Sequence, residues 1–472
     1  MSTSQSNQDL HSILKSMQRA HIKSGPADLA TRQDRLARSI RLIKENYTDI
    51  CAAMSADFGH RSQYQSMVAD MVTTIKMLQN AHDNVGEWMK PEHVEDLEGG
   101  IQAWIQQQPL GVIGVISPWN FPINLSFGPL ASIFAAGNTA MLKPSELTPQ
   151  TSELLADLIG RYFDPMELEV VLGDADVGRE FSALPFDHLV FTGSTVVGKH
   201  VMRAAAENLV PVTLELGGKS PVVVDQDFDL ATAVQRTLTI KTFNSGQICL
   251  SPDYMLIPEG NESAFAQAAQ AFVAKSFASI QTNEDYTAII SDRHFQRLVG
   301  LLDDAQEKGA TIINLGPENE PAYDAKTRKI APHLVLNASD DMAIMQEEIF
   351  GPLLPVKTYQ ALDQAIEYIN NHDRPLAAYF FSNNTVNQDR FAQFTTSGAL
   401  VINDVMTHAS IDELPFGGVG ASGIGAYHGV HGFRQFTHAK PVVVQSEDGA
   451  SNLRLRAPYA DNLAALEAFL SA

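Results

Sequence analysis

Cysteine is nearly absent from this chain: 472 residues contain two, Cys51 and Cys249. Two thiols cannot build a disulfide framework, so a reducing, cytoplasmic setting is expected. Basic residues are scarce as well, 33 Lys and Arg against 55 Asp and Glu, for a net charge of −22. Binding a phosphate backbone calls for a basic face, so nucleic acid is not an expected partner. The acidity serves solubility instead. Long apolar runs are missing too: no window reaches the ~18 uninterrupted apolar residues of a membrane helix, so no membrane partner is expected. The opening MSTSQSNQDL lacks the basic start and apolar stretch of a secretory leader. The tail NLAALEAFLSA is short, carries Glu467, and reads as a closing amphipathic helix. No helix-borne HExxH accompanies His428, His431 and His438, so they read as structural or surface residues and no metal is expected.

What the chain does have is ordinary globular material, 44% hydrophobic and 19% charged, long enough for two or three domains. Residues 9–90 are helix-rich, and Pro26 breaks the first helix from the second. Cys51 lies on an apolar stripe of period near 3.6, with Leu36, Ile40, Ile43, Tyr47, Ile50 and Met54, and reads as an inert core cysteine. From 108 to 225, β-branched runs at 112–116, 139–142, 168–172, 188–192, 212–216 and 222–224 alternate with helical stretches such as 151–162 and 196–208. The alternation resumes after Cys249, with runs at 254–257, 311–314, 354–359, 378–381 and 399–402, and helices near 262–279, 292–308 and 361–370. Near-continuous apolar strands alternating with helices predict parallel sheets covered on both faces. The expected architecture is therefore α/β, two such units with the cysteine at their junction. Clefts between domains are where ligand pockets tend to lie.

Cys249 follows Asn244-Ser245-Gly246-Gln247-Ile248, and a lone thiol in a chain of intracellular character is a candidate nucleophile toward a carbonyl carbon. Glu215, 34 positions upstream in LELGG, is a carboxylate that could serve it. Asn120, held between Pro118 and Pro122, could donate its amide to an oxyanion, although a Pro-flanked Asn is more often only a turn residue. Phe191-Thr192-Gly193-Ser194-Thr195 closes a strand and opens a helix, a turn suited to phosphate, or merely an ordinary capped turn. Lys143 and Glu146 in KPSE could hold ribose hydroxyls. A carboxylate there repels a 2′-phosphate and so favours NAD over NADP, though a lone KPSE is more often a solvated turn. Glu347 and Glu348 precede Phe350, which could wall in a flat ring, yet adjacent acids before a turn are usually just exposed. The formal GxGxxG at 418–423 follows no strand and has no acid about 20 residues downstream, so it reads as a flexible, tightly turning loop.

Taken together, PWNFP at 118–122, KPSE at 143–146, FTGST at 191–195, ELGGKSP at 215–221, NSGQIC at 244–249, EEIFGP at 347–352 and PFGGVGASGIGAYHG at 415–429 resemble the aldehyde dehydrogenase superfamily from about residue 30 to 440. CLSPDY at 249–254 and GAYHG at 425–429 look like its class-3 branch, while ADFGHRS at 56–62 is similar to bacterial coniferyl-aldehyde dehydrogenases. Ala421 departs from the branch, which usually carries Asn there. The resemblance implies two doubly wound Rossmann-like domains with a small β oligomerisation arm. Residues 1–90 and 108–216 would form the NAD-binding domain, 217–405 the catalytic domain, 91–107 and about 425–450 the arm, and 451–472 a tail.

The same resemblance implies roles residue by residue. Cys249 would be the nucleophile, Glu215 the general base, and Asn120 with the N–H of Cys249 the oxyanion donors. Lys143 and Glu146 would hold the adenine ribose, Gly193 and Ser194 the pyrophosphate, and Glu348 the nicotinamide ribose; Trp119, Gly178 and Phe350 would line the cofactor channel. It further implies NAD, with NADP accepted, a homodimer, and an aldehyde substrate oxidised to its acid through a thiohemiacetal and a thioester. Coniferaldehyde is the first expected substrate and a medium- or long-chain aliphatic aldehyde the second. A coenzyme-A-acylating enzyme has no use for the hydrolytic base Glu215, and an NADPH-dependent acyl-phosphate reductase is opposed by Glu146. A non-catalytic protein on this scaffold would have no use for the set Asn120, Glu215 and Cys249.

Overall fold

The computed structural model describes residues 9–97, 100–447, 452 and 455–472. Asp9 and Asp28 cap the helices Leu10–Ser24 and Leu29–Phe58 by accepting the backbone N–H groups of His11 and Thr31. Pro26 falls in the break between them. The second helix buries Leu36, Ile40, Ile43, Ile50 and Met54 along one stripe, and Cys51 sits in that stripe as a core residue. The helix stops at Gly59, whose φ of 80° a side chain would oppose. A π-helical turn, Ser66–Val72, then leads into the helix Thr73–Trp88.

In chain order the strands begin with β1 (Glu92–His93) and β2 (Gln102–Pro109). Next come β3 (Val112–Ile116), β4 (Thr139–Lys143), β5 (Leu168–Val170), β6 (His188–Gly193) and β7 (Val212–Leu216). The second group is β8 (Pro221–Val224), β9 (Tyr254–Pro258), β10 (Thr311–Asn314), β11 (Tyr323–Asp324), β12 (Lys329–Ile330), β13 (His333–Leu336), β14 (Leu353–Tyr359), β15 (Ala377–Phe381) and β16 (Ala399–Ile402). The chain ends with β17 (Gly423–Ile424) and β18 (Thr437–Val444).

Two α/β sheets result, as the apolar runs predict. The first has the order β17-β7-β6-β3-β4-β5, parallel throughout except for the short antiparallel edge β17. The second has the order β10-β13-β14-β9-β8-β15-β16, parallel except for β10. Their strands are buried from end to end where β-branched and aromatic residues dominate, as in PVVV of β8 and AAYFF of β15. Each fully buried side chain of that size contributes roughly 1.5–3 kcal/mol. The expected strand 168–172 stops at Val170, but Val171 still donates to Leu142 O outside the ladder.

Strands β1, β2 and β18 form a separate antiparallel sheet. It rests on an eight-residue pairing from Thr437↔Pro109 to Val444↔Gln102, not on a buried core, and β18 leaves Val443 and Val444 exposed. The tail helix Ala460–Ser471 corrects an expectation. It packs its apolar side chains on no described part of the chain: Leu463, Leu466, Phe469 and Leu470 are all more than half exposed. Apolar residues run around this helix without a polar face to orient it.

In the first sheet the chain runs β3, β4, β5 to one side and then returns past β3 to lay down β6 and β7. That reversal opens a crevice beyond the carboxyl ends of β3 and β6, the usual ligand position in a doubly wound sheet. Ser117–Pro122 follows β3 there and Ser194 follows β6. Only the four residues Gly217–Ser220 separate β7 from β8, so Glu215 lies at the seam between the two sheets.

Candidate active site

The loop that carries Cys249, the candidate nucleophile, is built from left-handed backbone. Asn244, Ser245 and Gly246 have φ of 50°, 52° and 71° in succession. Two side-chain-bearing residues in that region cost about 1–3 kcal/mol each, so the surroundings must impose the shape. Gln247 does much of this: its Nε2 donates to Asn244 O and Ala288 O, both at 3.0 Å, and its Oε1 accepts from Ile290 N at 3.0 Å. Gln65 Oε1 accepts from Asn244 N at 2.9 Å. At Gly246 the carbonyl of Gly351 occupies the space a Cβ would need.

This loop presents Cys249, partly exposed as a residue. Its thiol is enclosed enough that burial, followed by the charges of Glu348 and Glu215, pushes its pKa up to about 12. Two sequence-predicted carboxylates therefore face the sulfur electrostatically. Glu215, on β7 between Thr192 of β6 and Gly423 of β17, is 3% exposed. Among the described residues neither of its carboxylate oxygens has a hydrogen-bond partner, and burial raises its pKa well above the ordinary 4.5. A buried carboxyl left without donors is held for proton transfer more readily than for structure. Tyr427, buried beside them, feels the charges of both Glu215 and Cys249.

Asn120 is buried and tied to the nucleophile loop: its Nδ2 donates to Gln247 O at 3.2 Å. One N–H of the amide is thus committed, and the other remains to serve an oxyanion. Its backbone carbonyl accepts from Arg61 Nη1 at 2.7 Å.

Of the residues expected on the cofactor side, Trp119, Lys143 and Ser194 lie at or just beyond the carboxyl ends of β3, β4 and β6. Lys143 is buried, donating to Pro144 O at 3.2 Å and to Glu146 Oε2 at 3.1 Å, while Glu146 is far more exposed. Gly178 packs on the Lys143 stem, where an added Cβ would come within 3.4 Å of Cε. Gly193 ends β6, and Ser194 caps the twelve-residue helix Thr195–Ala206 by accepting from Val197 N at 3.4 Å. That helix start offers further N–H groups to a phosphate, and Val196 and Val197 are exposed on its first turn. Burial and then the charge of Asp253 push the pKa of Glu348 to about 8, with the backbone N–H of Gly218 opposing the rise. Trp119 sits in an aromatic cluster with Phe58 at 6.0 Å, His294 at 5.3 Å and Phe350 at 5.4 Å between ring centroids. An ammonium, an exposed carboxylate, a helix N-terminus and flat apolar rings are the groups that a dinucleotide site is built from.

A model of the aldehyde dehydrogenase family matches residues 2–442. The chain belongs to the aldehyde dehydrogenase family. It is 57% identical over 454 residues to the coniferyl aldehyde dehydrogenase of Pseudomonas sp. strain HR199, covering 96% of this chain and 94% of that one. The substrate-bound state of AldH from Staphylococcus aureus superimposes with a TM-score of 0.92 at 36% identity, covering 98% and 99% of the two chains. Betaine aldehyde dehydrogenase from the same organism, in complex with NAD+, gives 0.81 at 26% identity over 93% and 88%. The chain is thus an aldehyde dehydrogenase with two Rossmann-like domains and an antiparallel arm. None of its described helices is long and apolar enough to cross a membrane.

Several contributors escape sequence reasoning. Gln247 stands in a recognisable motif, but nothing local shows that it braces the loop. Gln65, Arg61 and Asp70 act on segments far away in sequence. His294 joins the Trp119 cluster with its pKa lowered to about 4 by burial, and then by the charges of Arg297 and Arg293. The stretch 418–423 is not loose: Gly420 bridges Gly423, which pairs with Glu215, and the backbone of Ser422 fills the space beside Gly418. The glycines let it press against the strand that carries Glu215. His428 is buried and stacked at 4.9 Å on Phe416, His431 Nε2 contacts Glu413 O at 3.2 Å, and His438 lies on exposed β18.

Proposed function

We propose that this aldehyde dehydrogenase oxidises an aromatic aldehyde, coniferaldehyde first among them, to its carboxylic acid with NAD+. The observation that carries the mechanism is Glu215, a buried carboxyl without a hydrogen-bond partner, electrostatically coupled to the thiol of Cys249. The thiol of Cys249 gives up its proton to solvent, and the thiolate so formed adds to the aldehyde carbon. Asn120 Nδ2 and the N–H of Cys249 donate to the alkoxide oxygen that forms. Bound NAD(P)+ supplies the hydride acceptor. Glu215 then takes a proton from water as that water attacks the thioester on Cys249, releasing the acid.

In this reading Lys143 and Glu146 hold the adenosine ribose, and Gly193 and Ser194 hold the pyrophosphate. Glu348 holds the nicotinamide ribose, while Trp119, Gly178 and Phe350 wall the channel. The carboxylate of Glu146 supports NAD over NADP by repelling a 2′-phosphate. The exposed pairing of β2 with β18 supports a homodimer built on this arm. The low cysteine count supports a cytoplasmic location. The 57% identity to a coniferyl aldehyde dehydrogenase supports the substrate.

The test is an aldehyde panel followed by NADH absorbance, with NAD and NADP in parallel. Coniferaldehyde with NAD should give the highest kcat/KM. A medium-chain aliphatic aldehyde outrunning it would displace the substrate reading, and acceleration by added coenzyme A would displace hydrolysis.

A further inference from the structure

We propose that Arg61 and Asp70 are a buried positioning pair that aims the amide of Asn120, an inference that rests on Asn120 being the oxyanion donor. Arg61 lies just past the end of the helix Leu29–Phe58 and Asp70 within the π-helical turn Ser66–Val72, in a stretch to which the mechanism above gives no task. Arg61 Nη2 meets Asp70 Oδ2 at 2.7 Å, with both side chains fully out of solvent. Arg61 Nη1 donates at 2.7 Å to the backbone carbonyl of Asn120. Asp70 Oδ1 accepts from Ile123 N at 3.0 Å and Asn124 N at 3.1 Å. The pair thus grips the turn after β3 at Asn120 and again just beyond Pro122. The guanidinium cannot wander, because it lies 4.7 Å from the ring of Phe58 and 5.2 Å from that of Phe121. At the far end of Asn120, Nδ2 is fixed to Gln247 O. Gln65, from the same stretch, holds Asn244 N in the nucleophile loop.

Stability alone does not call for this arrangement. Taking two charges out of water costs so much that a buried pair is often no better than well-packed apolar residues. What a guanidinium fork supplies is direction, since it holds two acceptors at fixed angles where an ammonium acts as a point charge. An oxyanion donor needs that: it stabilises charge because it is aimed before the charge develops. The pair carries the support of the Asn120 turn into the stretch between Arg61 and Asp70.

The experiment uses the full-length enzyme with NAD and a reactive aldehyde. It reads the rate of the first-turnover NADH burst, the KM values, NADH binding by fluorescence, and the melting temperature. Arg61→Lys keeps the cation but loses the fork, and Asp70→Asn releases it. The double variant Arg61→Met/Asp70→Leu removes both charges while keeping the volume. A misplacement of ~1 Å can cost ~10²-fold, so each variant should slow the burst by roughly ten- to a hundredfold while NADH binding stays within about twofold.

The deciding step repeats Arg61→Lys in an Asn120→Ala background. If Arg61 acts through the amide, its effect on the burst disappears there, while its effect on melting temperature persists. The same slowing in both backgrounds would overturn the proposal, as would a wild-type burst in Arg61→Met/Asp70→Leu. An undiminished burst in Asn120→Ala alone would remove Asn120 as the donor, and the proposal with it, a result readable apart from any Arg61 variant.

Discussion

Asp70 and Glu215 are both carboxylates at the bottom of the molecule, 0% and 3% exposed, and they are furnished in opposite ways. Asp70 has a guanidinium on one oxygen and two backbone N–H groups on the other. Burial pushes its pKa up and that of Arg61 down, while the attraction between them opposes both shifts. Glu215 has no hydrogen-bond donor on either oxygen, and burial raises its pKa with nothing opposing. Burial by itself, then, does not say what an acid is for. The partners do: a satisfied carboxylate fixes geometry, and an unsatisfied one is free to exchange a proton.

The strongest way to break this contrast is to neutralise each acid and ask what is lost. Glu215→Gln should leave one fast burst of NADH and cut steady turnover by roughly 10²–10⁴-fold, the usual span for a general base. Undiminished turnover would take Glu215 out of that role. Its stability should hold or rise, because no partner is abandoned. Asp70→Leu should do the reverse in stability, since it strands Arg61 as a buried cation. Removing one member of such a pair costs about 3–5 kcal/mol. A denaturation midpoint close to wild type for Asp70→Leu would mean that water or another acid already serves Arg61.

The same contrast marks where sequence reading stops. Glu215, Cys249 and Asn120 stand out as candidates because each sits in a local motif whose residue types suit carbonyl chemistry. The strands are legible because their runs are β-branched and unbroken. Arg61, Asp70 and Gln65 are illegible because their significance lies in partners 59, 53 and 179 positions away, for Asn120, Ile123 and Asn244. An Arg and an Asp nine residues apart look like surface residues until the fold closes over them. The glycines at 418–423 mislead in the opposite sense: they suggest freedom, yet here they permit close packing against β7. The tail helix misleads because its apolar residues suggest burial that a single chain does not supply.

A third carboxylate sharpens the comparison at a smaller scale. Glu146 is the exposed member of a pair with buried Lys143, so it is neither satisfied inside nor stranded there. An ion pair with one open member is weak, roughly 0–1 kcal/mol, and Glu146→Ser should hardly change stability. It should raise kcat/KM with NADP relative to NAD by about tenfold, the equivalent of ~1.4 kcal/mol less repulsion of a 2′-phosphate. An unmoved ratio in the parallel assays would place cofactor selection elsewhere.

The smallest effect is the one that tests Glu215 without any substrate. Its pKa is raised in the folded state, so between the ordinary 4.5 and that higher value the folded chain holds a proton that the unfolded chain has released. Stability contributed by this group is therefore full below 4.5 and declines as pH rises toward the folded value. Glu215→Gln lacks the decline, so its melting temperature should match the parent near pH 4.5 and exceed it increasingly toward neutral pH. For a chain longer than 250 residues each kcal/mol moves that temperature by less than about 2–4 °C, so the two curves must be measured side by side. If they stay parallel across the range, the carboxyl titrates near its ordinary value and water must be satisfying it. Glu215 would then be furnished much as Asp70 is, and the distinction between the two acids would collapse.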